Sequence, residues 1–191
     1  MELNLCSLGF TLKVKNMNVK YSDKFEKIEK AKSKWMNELG KLSDEKQKSE
    51  TVGQWSLIQH GYHLYLAEKG SLAYVKKKLS FNPTLDKSGI QTVFRIILLW
   101  FFMTSPFKFK APATVSEVNF PDNLTFEMLE RCWEESRTDL KSFLNSIGDK
   151  YIGLEVYKQP LAGRLTLVGM LRFFELHQNR HFAHSKKHLN R

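Results

Sequence analysis

Cysteine is scarce in this chain. Two residues, Cys6 and Cys132, occur among 191, and no CxxC spacing joins them. That excludes a disulfide framework and a thiolate zinc site, and it leaves two reduced thiols of the kind found in a cytoplasm. Long apolar runs are lacking too. The most apolar stretch, Ile96 to Met103, follows Arg95 and falls well short of the roughly 20 helical residues that cross a bilayer. The opening residues Met1 to Cys6 carry neither the basic cluster nor the apolar region of a signal peptide. The expectation is a cytoplasmic protein with no membrane partner.

Other absences narrow the chemistry. There is no HExxH, no pair of Glu-x-x-His motifs such as di-iron bundles use, and no helix-turn-helix or zinc-finger signature. No internal repeat or low-complexity segment occurs. Acidic residues are outnumbered, 20 against 30 basic ones, for a formal charge of +10. The lysines nevertheless alternate with acids in Lys24-Phe25-Glu26-Lys27-Ile28-Glu29-Lys30, as on a solvated helix face, so no specific nucleic-acid partner is expected.

The chain is 42% hydrophobic, enough to bury a core within a single domain over residues 1–191. Residues 1 to 21 show no sustained period and are expected to form an N-terminal arm. From Ser22, an apt N-cap, Phe25, Ile28, Trp35, Leu39 and Leu42 keep helical spacing to about Gly40. Thr51 and Gln54 have the spacing of a capping box, which predicts a second helix through about Lys78. Gly89 to Thr104 is apolar without strict alternation and predicts a helix buried nearly all round. Pro106, Pro112 and Pro121 then mark a long connection, either a lid or lining for a site or a strap over the bundle. Thr125 to Ile147 is a further amphipathic helix stopped by Gly148. Beyond the turn at Pro160 and Gly163, Thr166 can cap the last helix, with Leu165 and Met170 as its hydrophobic staple. The fold class is all-α: a four-helix bundle with an extra helix and a long proline-containing crossover strap. Its long apolar stripes favour pairing into a homodimer.

On the last helix Leu167, Met170, Phe174, His177, His181, His184 and His188 share one stripe. The face that should enter a core turns into imidazoles. His177 and His181, four residues apart, can aim two ring nitrogens at one point, as a metal requires of a helix, and a third ligand must come from elsewhere. On the second helix Ser56, Gln59, His63 and Leu66 share a face, so His63 stands in a polar patch on an otherwise apolar stripe. Trp55 is expected to pack the core.

Three stretches in this order, Trp55-Ser56-Leu57-Ile58-Gln59-His60-Gly61-Tyr62-His63-Leu64, Gln159-Pro160-Leu161-Ala162-Gly163-Arg164-Leu165-Thr166 and His177-Gln178-Asn179-Arg180-His181, resemble the DinB-like superfamily, which includes the YfiT type. The resemblance runs from about Trp35 to Leu189. It implies a four-helix bundle with one divalent transition metal held by three histidines, here His63, His177 and His181. His184 and His188 offer a shifted pair with His181, but the spacing from Thr166 favours His177. Zinc or nickel is expected foremost, with iron or copper as alternatives, and Gln59 is placed to orient a water or an imidazole. The implied activity is that of a metal-dependent enzyme on a small molecule. It is either an S-transferase using a low-molecular-weight thiol or a hydrolase, and a bundle that binds without catalysis is the competing class.

Overall fold

A computed structural model describes residues 17–49, 55–107 and 109–189, with side chains as far as Ser185. Six α-helices follow one another: α1 (Val19–Gly40), α2 (Asp44–Lys48), α3 (Leu57–Ser80), α4 (Ile90–Thr104), α5 (Phe126–Ile147) and α6 (Leu167–Leu189). Between the last two lies a small antiparallel hairpin, β1 (Tyr157–Gln159) with β2 (Gly163–Leu165), in which Tyr157 pairs with Leu165. The fold is mostly helical, as the periodicities predict.

The core divides into two apolar ends. One gathers Tyr21 and Ile28 of α1, Leu72 and Val75 of α3, Leu140 and Leu144 of α5, and Leu167 to Leu176 of α6. The other gathers Trp35 and Leu39 of α1, Ile58 and Leu64 of α3, and Leu129 and Trp133 of α5. Following each helix from one end to the other gives the topology: α1 and α6 run one way, α3 and α5 the other. Two consecutive helices of the bundle, α3 and α5, therefore run in parallel. A parallel connection must cross the bundle, and α4 with the proline-containing strap makes that crossing.

Between the two apolar ends every bundle helix contributes polar side chains. Glu68 of α3 accepts from Trp133 Nε1 at 2.9 Å, from Arg137 Nη2 at 2.9 Å and from Gln178 Nε2. Lys32 of α1 reaches Glu29 at 3.6 Å and also Glu134. Glu68 and Arg137 are buried. Burial raises the Glu68 carboxyl above the usual carboxylate range, against the pull of Arg137 and the two hydrogen bonds. Close helix approach at the second apolar end depends on Gly61, where a Cβ would stand 2.7 Å from Leu129 and 2.9 Å from Trp35.

Several local expectations are corrected. The first helix begins at Val19, not Ser22, because Asn18 caps it: its side chain accepts from Lys20 N–H at 2.8 Å and its amide donates to Asp149 at 2.8 Å. The earlier start carries Tyr21 into the core. Residues 1–16 of the expected arm lie outside the described residues, as do Thr51 and Gln54. The second long helix starts at Leu57 under a capping box of Ser56 and Gln59, with Ser56 N–H donating to Gln59 Oε1 at 2.8 Å. The largest correction is α4, which was expected to be buried nearly all round. Among its residues only Thr92, Leu99 and Met103 are buried, because α4 lies against α6 and β2 along one edge and leaves the opposite edge bare.

Candidate metal centre

Two caps set the register of the helices that meet at the site. The Ser56–Gln59 box fixes the first turn of α3 and so places His60 and His63 one and two turns in. Thr166 Oγ1 accepts from Gly169 N–H at 3.1 Å and starts α6, which projects His177 and His181 from one face toward α3. His63 Nε2 lies 3.2 Å from His177 Nε2, and His177 Nε2 lies 3.1 Å from His181 Nε2. The three nitrogens all fall within 4.8 Å of one another, and the group could hold a metal ion.

The donor set fits such an ion. Metal–nitrogen bonds of about 2.0–2.1 Å at tetrahedral angles separate donor atoms by about 3.3 Å. His63 Nδ1 donates to the Val115 carbonyl at 2.7 Å; a carbonyl only accepts, so the neutral ring carries its proton on Nδ1 and turns the Nε2 lone pair to the cluster. His181 Nδ1 is 2.9 Å from His60 Nδ1. With its proton on Nδ1, donated to His60, His181 likewise presents Nε2. Burial lowers the His63 pKa, and it drives those of His177 and His181 well below the ordinary imidazole value, with neighbouring imidazoles adding to the effect. Neutral rings are the form that binds a cation.

Aromatic rings and the strap enclose this cluster. Trp55 stands 5.0 Å from the His63 ring and 5.7 Å from that of His60, and its Nε1 donates to Glu117 of the strap at 2.8 Å. Phe120, also of the strap, packs edge-on against Trp55 at 5.4 Å. Phe173 stacks on His177 at 5.1 Å with 17° between planes. Arg180, one residue before His181, donates to the carbonyls of Phe102 at 3.0 Å and Ser105 at 2.6 Å and also to that of Phe107. It thereby ties the end of α4 and the root of the strap to α6. The long connection is a lining of the cluster.

The sequence placed His63, His177 and His181 as a group, and the structure brings them together. Gln59 has its amide oxygen engaged in the α3 cap. His184 is exposed and outside the three-nitrogen cluster, and the His188 side chain lies outside the described residues. Sequence reasoning missed His60, whose i,i+3 relation to His63 was the available signal, and Trp55, which walls the histidines. It could not have found Val115, whose contribution is a backbone carbonyl.

The family model of the DinB superfamily matches residues 27–185, well over half of the chain. The chain belongs to the DinB superfamily. The matched span contains the three converging histidines, the strap and the whole crossover, so this DinB-superfamily chain carries its histidine cluster within the family's own region. No curated protein and no solved structure matches it at a significant level. Among the described residues no helix is long and apolar enough to cross a membrane.

Proposed function

We propose that this chain is a metal-dependent enzyme acting on a small molecule, with His63, His177 and His181 holding one divalent transition ion, zinc or nickel foremost and iron as the alternative. The observation that carries the reading is the approach of three lone-pair nitrogens to 3.1 and 3.2 Å, a spacing that suits a shared cation. A cation held there supplies Lewis acidity, which lowers the pKa of a water or thiol that reaches it. The chain's own groups prepare the place. The Val115 carbonyl and His60 fix two ring orientations, and Trp55 with Phe120 keeps bulk water from one side. A low-molecular-weight thiol as cosubstrate gives an S-transferase, and water in its place gives a hydrolase. The net charge stays +10, but surface lysines are interleaved and paired with acids, as Lys76 with Asp139 and Lys48 with Asp44, which speaks against a nucleic-acid partner.

A second reading follows from the strap. Should Trp55 and the strap stay closed over the histidines, the ion is structural and the bundle is a binding protein. Metal analysis of untagged protein decides the first point: about one ion per chain is expected, with His63→Ala and His177→Ala losing it. Equal metal retention in wild type and both variants defeats the site. Loaded protein is then screened for thiol transfer to electrophiles and for hydrolysis of activated esters and amides. Thiol-dependent turnover selects the transferase and thiol-independent turnover the hydrolase. A metal-replete protein inactive in both screens selects the structural role.

A further inference from the structure

The outer edge of α4 presents a continuous apolar stripe. Ile90, Val93, Phe94, Ile97, Trp100 and Phe101 follow the i, i+3, i+4, i+7 pattern, and all face solvent; Ile90 is 78% exposed, Phe94 66%, Ile97 54% and Trp100 51%. The root of the strap prolongs it, with Phe107 packed against Phe101 at 6.4 Å and Phe109 against Phe102 at 5.6 Å. On the order of 1,000 Å² of apolar side chain lies open on this face, against about 800 Å² per partner in a standard stable interface and a few hundred on the largest patch of an ordinary monomer.

We propose that this face of α4 is the contact through which two copies of the chain pair about a twofold axis. Three features point to a second copy as the occupant. The stripe contains no charged residue, so it suits a surface as apolar as itself, and the same stripe on a second copy is such a surface. A helix with ridges at i+4 spacing can cross its own copy with the ridges of each in the grooves of the other, which makes the contact isologous and closed. Finally, the open apolar area reaches the size that a standard stable interface buries from each partner.

The inference stands independently of the metal. Because Leu99 and Met103 anchor α4 by its opposite edge, charge can be placed on the stripe without entering the core. Sedimentation equilibrium of the full chain should show a dimer. Ile97→Asp, at the middle of the stripe, and separately Phe94→Lys should weaken association by at least about thirtyfold, the effect of losing a central contact, with far-ultraviolet dichroism unchanged. Either variant suffices if the other fails to fold. A monomeric wild type at concentrations of tens of micromolar overturns the proposal, as does a dimer insensitive to both substitutions. Co-sedimentation of a monomer with phosphatidylcholine–phosphatidylglycerol vesicles, lost in Phe94→Lys, overturns it in favour of a lipid surface.

Discussion

Along α6 the inward face carries imidazoles and an amide, with His177, His181 and Gln178 turned toward α3. Along α4 the outward face carries Ile90, Phe94, Ile97 and Trp100. Both reverse the ordinary placing of polar and apolar groups, and they do so with opposite consequences. A buried polar group must find partners or it destabilises the fold, and three of the inward groups have one: the Gln178 amide nitrogen on Glu68, His63 on Val115, His181 on His60. An exposed apolar group costs the monomer little, and its effect is felt only when another surface covers it. The inner reversal is therefore bound to the stability of one chain, while the outer one bears on association.

The sharpest test of the inner half is Glu68→Ala. It leaves the buried Arg137 guanidinium with Glu29 alone, at 3.4 Å, and frees the Trp133 and Gln178 donors. Removing one partner of such a pair costs about 3–5 kcal/mol, so urea unfolding should show a loss of that size, and the combined Glu68→Leu, Arg137→Met variant should recover much of it. A loss below about 1 kcal/mol would mean that water already reaches the layer. The outer half is tested by two neighbours on α4. Leu99 is fully buried, and Leu99→Ala should destabilise by about 2–5 kcal/mol. Ile97→Ala, two residues away on the bare edge, should change the stability of the isolated monomer by no more than about 0.5 kcal/mol. Equal losses at the two positions would mean that α4 is covered all round within one chain.

The same contrast explains what could be read from the sequence. His177 and His181 were legible because an imidazole on an apolar stripe is an anomaly that periodicity exposes. The helices holding them were legible from their amphipathic period and from the turn at Pro160 and Gly163. The burial of α4 was misjudged for the converse reason: with Ile96 to Met103 apolar at every position, no face stands out, and a helix bare along one edge has the same pattern as one enclosed. The caps at Asn18 and Ser56 lay within a few residues of Ser22 and Thr51, which offer the same chemistry; packing of Tyr21 and of the α3 start decides between them. Glu68, Arg137 and Gln178 stand on three separate helices, far apart in the sequence. Their meeting is a tertiary fact, set by the parallel run of α3 and α5, and no local pattern reports it.

Acid separates the two faces once more. His177 and His181 are held well below the usual imidazole pKa, first by burial and then by neighbouring imidazoles. As pH falls through about 6.5, the unfolded chain takes up protons on these rings and the folded chain does not. The unfolded state then binds more protons, so stability rises with pH in this window and is lost on acidification. The loss approaches about 1.4 kcal/mol per histidine for each pH unit below 6.5. Metal-free protein, kept in chelator and unfolded by urea at pH 7 and at pH 5.5, where carboxylates other than the raised Glu68 still contribute little, should show this decline, and His177→Gln with His181→Gln should flatten it. An equal slope in wild type and the double variant would mean that the imidazoles charge freely in the folded chain. The α4 stripe contains no ionisable group, so dissociation of the proposed dimer over the same interval should stay constant while the fold weakens.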